Sequence, residues 1–215
     1  MRTIDALADL LLGSACPGCG LPRWGVCPAC RGEVRRPRLQ VNPDGLPVVG
    51  LTGYQGVGGR LVRALKDGGA WSVAAVCGPG LSAALDLVAP AGVTLVPAPS
   101  SAQAVRRRGF DHARALATAG ARDGDRVVEA LRRVRRVQDQ AGLDHDHRQT
   151  NQRASMRATP PDRWGSGAVI VDDVCTTAAT ILEARQALAS SGWTVLGAVV
   201  VAITEKHRDA TNSAT

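Results

Sequence analysis

The chain has 215 residues; 45% are hydrophobic and 21% charged, which suffices for the core of one ordinary domain with an appendage and excludes wholesale disorder. Only 3% are aromatic, so the core must be aliphatic, and no apolar stretch reaches the ~20 residues that span a bilayer. The net charge of +7 favours anionic partners: all 26 basic residues but Lys66 and Lys206 are arginine, whose planar fork suits phosphate oxygens, although an alanine- and arginine-heavy composition also follows from genomic base bias.

Ile4, Leu7, Ala8, Leu11 and Leu12 fall on one face of an amphipathic helix, and Asp5 and Asp9 interrupt what would otherwise resemble a secretory apolar region. The expected location is therefore the cytoplasm. Cys16, Cys19, Cys27 and Cys30 follow as C-x2-C-x7-C-x2-C. Each C-x2-C turn can aim two sulfurs at one point, and four thiolates complete a closed tetrahedral Zn2+ shell, so a structural zinc ribbon is the expectation. A pair of disulfides or of redox C-x-x-C motifs is the competing reading, disfavoured by a reducing interior and by the doubling.

Residues 31–47 show no hydrophobic period and read as a linker. Val48–Thr52 reads as a strand, Gly56–Lys66 as a helix ended by Gly68 and Gly69, and Trp71–Leu87 as a helix interrupted near Gly78 and Pro79. The run Gly56-Val57-Gly58-Gly59 is too short for a dinucleotide fingerprint and reads as a turn and helix start. Val93–Val96 reads as a strand entering Pro97-Ala98-Pro99-Ser100-Ser101, a strand-to-loop junction where an anion can sit. Arg106, Arg107 and Arg108 follow; on residues alone they are a solvated basic turn. Arg132, Arg133, Arg135 and Arg136 form a second basic run without aromatic interleaving, which points to a solvated face and gives direct DNA binding only weak support. Asp144-His145-Asp146-His147 reads as a solvated loop rather than a ligand set, and Cys77 and Cys175 as small core or loop residues.

Gly167–Thr180 carries the most chemistry. A buried strand ends in Asp172 and Asp173, a loop of small and hydroxyl residues follows, and a helix continues through Ile181, Leu182, Ala184 and Leu188. Ligands of open α/β sheets sit at such carboxyl ends, where a helix N-terminus presents free N–H groups to a phosphate. Thr176, Thr177 and Thr180 add hydroxyl donors. Two adjacent carboxylates repel phosphate, so they are expected to accept from sugar hydroxyls or to approach Mg2+.

The stretch VDDVCTTAAT resembles the phosphoribosyl pyrophosphate (PRPP) loop of type I phosphoribosyltransferases. With the four cysteines, Leu95-Val96-Pro97-Ala98-Pro99, Arg106-Arg107-Arg108-Gly109-Phe110-Asp111, Gln140, Leu143, Arg148 and Asn151, the chain resembles the ComF family of competence-associated proteins over nearly its whole length. That resemblance implies an α/β fold, a type I phosphoribosyltransferase-like parallel sheet flanked by helices over about 48–205, preceded by a helix and zinc ribbon over 1–35 and a linker over 36–47, with a frayed tail over 206–215. It also implies that Asp172 and Asp173 hold the ribose as catalytic residues. Val174, Cys175, Thr176, Thr177, Ala178, Ala179 and Thr180 would bind the 5′-phosphate, and Ser100, Arg106 and Arg108 the pyrophosphate with its Mg2+. The implied partners are PRPP, a competence helicase and DNA-processing proteins.

The family usually has asparagine at Asp111 and glycine at Ala178. If the loop keeps the family backbone, Ala178 must take φ > 0 at on the order of 1 kcal/mol, and glycine there should tighten PRPP binding. No residue identifies an acceptor. A non-catalytic PRPP- or nucleotide-responsive module is therefore the second expectation, and a zinc-dependent DNA-binding protein the third.

Overall fold

The computed structural model describes residues 15–66, 70–100, 105–106, 109–134 and 156–204. The expectations for the N-terminal helix, Gly68 and Gly69, Arg107, Arg108, Arg135, Arg136, the Asp144–His147 run, Gln140 to Asn151 and the tail lie outside the described residues.

Val48–Gly53, β-branched and apolar along most of its length, forms β2, buried on both faces as central parallel strands are. It pairs with β8 (Thr194–Ile203), which pairs with β7 (Gly167–Cys175), then β3 (Thr94–Pro97) and β4 (Arg126–Val127), all parallel. β1 (Leu39–Val41) adds an antiparallel edge to β2. The residues read as linker thus contain an edge strand; three residues with a single partner leave no periodic trace in a sequence. β5 (Leu131–Arg133) and β6 (Met156–Ala158) make a separate two-stranded ladder.

Two apolar layers sandwich the sheet. On one face α2 (Val57–Lys66), α3 (Ala70–Leu85) and α4 (His112–Gly120) pack Leu61, Leu65, Leu81 and Leu116 against Val49, Leu51, Val169 and Val199. On the other, α5 (Ala179–Ala189) and the β5–β6 pair pack Ile181, Leu188, Leu131 and Met156 against Val48, Ile170 and Val200. The result is the expected α/β architecture, a mostly parallel sheet flanked by helices.

The Gly58-Gly59 pair has a steric reason. A Cβ on either would run into the carbonyl oxygens of Gly53 and Tyr54, so only glycine lets the first turn of α2 settle on the end of β2. Close approach also corrects the expected interruption near Gly78 and Pro79. α3 runs unbroken through Pro79, with the backbone of Gly78 against Ala119 and that of Gly80 against the Val34 carbonyl; tertiary packing outweighs the local propensity.

The four-cysteine module is joined to this core. Its short helix α1 (Pro28–Glu33) follows Cys27, whose Sγ accepts from Cys30 N–H at 3.5 Å. Cys16, Val26, Cys27, Cys30 and Val34 belong to the same buried cluster as α2 and α3, and Arg60 of α2 donates to the Gly18 carbonyl. No helix among the described residues is long and apolar enough to cross a membrane.

Candidate functional site

The strand order sets the place. The chain leaves β3 through α4 towards β4 on one side, and leaves β7 through α5 towards β8 on the other, so the loops after these two adjacent strands diverge. Such a switch in strand order opens a crevice at the carboxyl ends of the strands, where open α/β sheets bind ligands. The residues singled out at 97–100 and 172–180 flank this crevice, and Ala98 N–H still donates to Val171 O at 2.9 Å across it.

The two carboxylates were expected at the end of a strand, but β7 continues past them to Cys175, because β8 keeps pairing with it through Val174↔Ala202 and Cys175↔Ile203. Asp172 and Asp173 are therefore buried, 8% and 3% exposed, and alternation sends them to opposite faces of the sheet. Asp172 Oδ1 accepts from Asp173 N–H at 2.8 Å. Burial, reinforced by the neighbouring Asp173 charge, pushes Asp172 well above the usual carboxylate range.

Asp173 has the opposite balance. Burial alone would raise it, but His112 and then Lys66 outweigh that and hold it down at about 2. Lys66 Nζ, at the last residue of α2, lies 2.7 Å from Asp173 Oδ2, and His112 Nε2, at the first residue of α4, lies 3.6 Å from Oδ1. His112 Nδ1 is 3.3 Å from Ser100 Oγ, so a polar chain runs from Ser100 through His112 and Asp173 to Lys66. Asp111 caps α4, its Oδ1 accepting from Ala113 and Arg114 N–H, and this fixes the start of the helix that carries His112.

The loop after β7 is short. Thr176 and Thr177 are exposed, Thr204 Oγ1 donates to the Thr176 carbonyl at 3.0 Å, and α5 begins at Ala179. Ala178, the cap position, has φ 58° and ψ −1°, the left-handed conformation that favours glycine, and it is 3% exposed. Its N–H also meets the Cys175 thiol, which burial nevertheless pushes up to about 11. The first turn of α5 carries no acidic residue, so nothing there opposes an anion.

Ser100 is thus brought to the acidic pair, whereas Arg106 is exposed and Arg108 lies outside the described residues. A 280 Å³ cavity lies beside the loop after β3, lined among others by Pro99, Ser100, Asp111 and Arg132. Arg133, read from the sequence as part of a solvated basic face, donates to the Pro99 carbonyl at 2.9 Å and pins this wall. Lys66, His112 and Arg133 escaped the sequence reading. The one available signal was Lys66 itself, a lone lysine deep in an arginine-dominated chain.

In the N-terminal module the Sγ atoms of Cys16, Cys19, Cys27 and Cys30 all lie within 4.8 Å of one another. Cys19 and Cys27 are 3.7 Å apart, close to the ~3.8 Å edge of a tetrahedron built on ~2.3 Å metal–sulfur bonds. Burial raises the Cys16 thiol, but N–H groups of Cys27, Gly18 and Cys19 more than offset it and bring that thiol down to about 6, whereas burial and the neighbouring cysteines push Cys30 up. A Cβ on Gly18 would stand 2.7 Å from Cys30 Sγ, so the knuckle needs glycine to close. The donor set fits one tetrahedral metal ion.

The family whose model matches the chain is the phosphoribosyl transferase domain, over residues 104–213. No curated protein matches.

Proposed function

Since the chain belongs to the phosphoribosyl transferase domain family, we propose that it binds PRPP with Mg2+ in the crevice between β3 and β7. The observation that carries this reading is the coincidence of three features at one switch point: the acidic pair, the loop into α5 with its free N–H groups, and Ser100 opposite them.

In this reading Asp173, kept ionised by His112 and Lys66, accepts from a ribose hydroxyl, and Asp172 completes the ribose contact. Val174 to Thr180 wrap the 5′-phosphate, with backbone N–H groups and the Thr176, Thr177 and Thr180 hydroxyls as donors. Ser100, Arg106 and Arg108 take the pyrophosphate. Mg2+ carried in with PRPP would supply charge neutralisation at the diphosphate. A nucleophile then attacks ribose C1, forming the new bond as the C1–O bond to pyrophosphate breaks through an oxocarbenium-like state; the chain contributes positioning and charge stabilisation. Zn2+ held by Cys16, Cys19, Cys27 and Cys30 is structural. On the resemblance to ComF, the protein works in DNA uptake, in the cytoplasm, with a helicase and DNA-processing partners.

A binding module without turnover is the second reading, favoured by the absence of an aromatic stacking platform among the described residues that line the cavity. Calorimetric titration of PRPP with Mg2+, followed by single-turnover release of labelled pyrophosphate under a screen of acceptors, tests both. Absence of PRPP binding removes the transferase reading and leaves the module only if a nucleotide binds instead; PRPP binding without release under every acceptor leaves the module.

A further inference from the structure

His112 is a buried imidazole, 7% exposed, with a polar group beside each ring nitrogen. Asp173 Oδ1 stands 3.6 Å from Nε2, and Ser100 Oγ 3.3 Å from Nδ1. Lys66 holds the other carboxylate oxygen, Oδ2, at 2.7 Å, which leaves Oδ1 to the ring. An ionised carboxylate facing Nε2 places the ring proton there, because a lone pair at that nitrogen would confront a negative charge. Nδ1 is then an acceptor, and the Ser100 hydroxyl gives its one hydrogen to it. Towards the crevice that hydroxyl presents lone pairs, which suit an incoming proton rather than a phosphate oxygen. Ser100 lines the 280 Å³ cavity and His112 does not, so a proton from a molecule in the cavity reaches the imidazole through Ser100. Other bases near the cavity are engaged or absent: Glu129 is ion-paired to Arg114 at 2.8 Å, Asp111 caps α4, and Val174 to Thr180 include no carboxylate or imidazole. Asp173, held at about 2, is itself too weak a base, and Asp172 is pushed towards its neutral form.

We propose that Ser100, His112 and Asp173 form a proton relay, in which His112 is the general base for the acceptor and acts through Ser100 Oγ. The acceptor's nitrogen or oxygen bonds to ribose C1 as the C1–O bond breaks, the electron pair leaving with pyrophosphate. The acceptor's proton passes to Ser100 Oγ while the Ser100 proton passes to His112 Nδ1, and Asp173 offsets the imidazolium charge. This relay rests on the PRPP reading and refines one part of it: the Ser100 hydroxyl serves the acceptor, which leaves the pyrophosphate to Arg106 and Arg108. The acceptor is accordingly a small molecule that attacks through an N–H or O–H group.

Two measurements on the full chain test the relay. Without PRPP, a fluorophosphonate labels a serine whose proton a neighbouring base takes, so peptide mass mapping should find Ser100 modified in the parent. His112→Gln, whose amide can hold Ser100 in place yet cannot take its proton, should be labelled at least ~100-fold more slowly. With saturating PRPP and Mg2+, and hydroxylamine as the acceptor, single-turnover release of pyrophosphate should fall by a similar ~100-fold in Ser100→Ala and in His112→Gln. Absence of label on Ser100 in the parent, or equal labelling of His112→Gln, overturns the relay, as does release by the parent no faster than by either variant. If calorimetry shows that PRPP does not bind the parent, the PRPP reading falls, and the labelling alone decides whether His112 acts on Ser100. If His112→Gln loses its cooperative thermal transition, His112→Asn carries the same comparison.

Discussion

Replacing Ala178 by glycine isolates the strain at the cap of α5. Holding alanine in the left-handed region costs ~1–2 kcal/mol, which glycine relieves. Against this, the substitution removes a buried methyl worth ~0.8 kcal/mol and adds ~0.4–1 kcal/mol of unfolded-chain entropy. The opposing effects are of similar size, so Ala178→Gly should leave stability within about 1 kcal/mol of the parent. The neighbouring Ala179→Gly, at an exposed helical position with no strain to relieve, should lose up to ~1 kcal/mol. Ala178→Val, a β-branched residue at φ 58°, should lose clearly more than either. Urea unfolding of the three variants reads these differences. Because the fold of the chain itself sets the left-handed conformation, the strain is met on folding rather than on binding, and the PRPP affinity of Ala178→Gly should stay within about twofold of the parent. This revises the sequence-based expectation of tighter binding. A loss of ~2 kcal/mol in Ala178→Gly would show that residue 178 is unstrained; tenfold tighter PRPP binding at unchanged stability would show that the loop turns left-handed only around its ligand.

Asp173→Asn should weaken PRPP binding roughly 10–150-fold, the loss of one charge-assisted hydrogen bond at ~1.5–3 kcal/mol, while Asp172→Asn, at a carboxyl that burial and the Asp173 charge push towards its neutral form, should weaken it less; calorimetry ranking them the other way refutes the assignment. Purified protein should carry one zinc per chain by elemental analysis, and Cys30→Ser should lower the thermal midpoint of the whole chain rather than melt the module alone, since its cysteines share a core with α2 and α3. Burial would raise Asp125, but Arg122 and the N–H groups of Arg122, Val93 and Gly92 outweigh it and set its folded pKa below the unfolded value, so the stability it confers is present above about pH 4 and is lost as pH falls through the folded value. Asp125→Asn should accordingly be less stable than the parent at pH 6, with the gap closing as pH falls below the unfolded value of about 4 in acid titrations of the thermal midpoint; a gap that does not close would disprove the linkage.

Several elements were legible in the sequence, although β8, the longest strand, and α4 were not read there. β2 and β3 appear as short β-branched runs, α2 as Val57, Leu61 and Leu65 at helical spacing, and the β7–α5 junction as an apolar run passing into hydroxyls and then a helix. β1, β5 and β6, each three residues long, were not, because so few positions cannot display alternation. The extent of β7 was misjudged for a different reason: carboxylates look like a terminus, whereas here Lys66 and His112 compensate Asp173 inside the strand. Those two side chains come from helices far from β7 in sequence, and locally each looks ordinary: a cation at a helix end and a histidine beside a cap. The acidic pair and the loop were therefore readable as a motif, while the groups that set their charge become visible only when the sheet brings α2 and α4 over it.

The position of β8 governs how this protein can assemble. It follows every other described element along the chain, yet it lies between β2 and β7, pairing Val48 with Ala198 and Gly167 with Thr194. Until β8 arrives, the early strand β2 has β1 on one side and a bare apolar edge on the other, and β7 is open as well. A ribosome-bound chain shorter than residue 194 therefore cannot complete the sheet, and closing it requires contacts between distant parts of the sequence, which fold slowly and expose sticky edges meanwhile. The crevice between β3 and β7 inherits that dependence: one of its walls is the end of a strand held on its other edge by β8, so the site is not complete until β8 has docked.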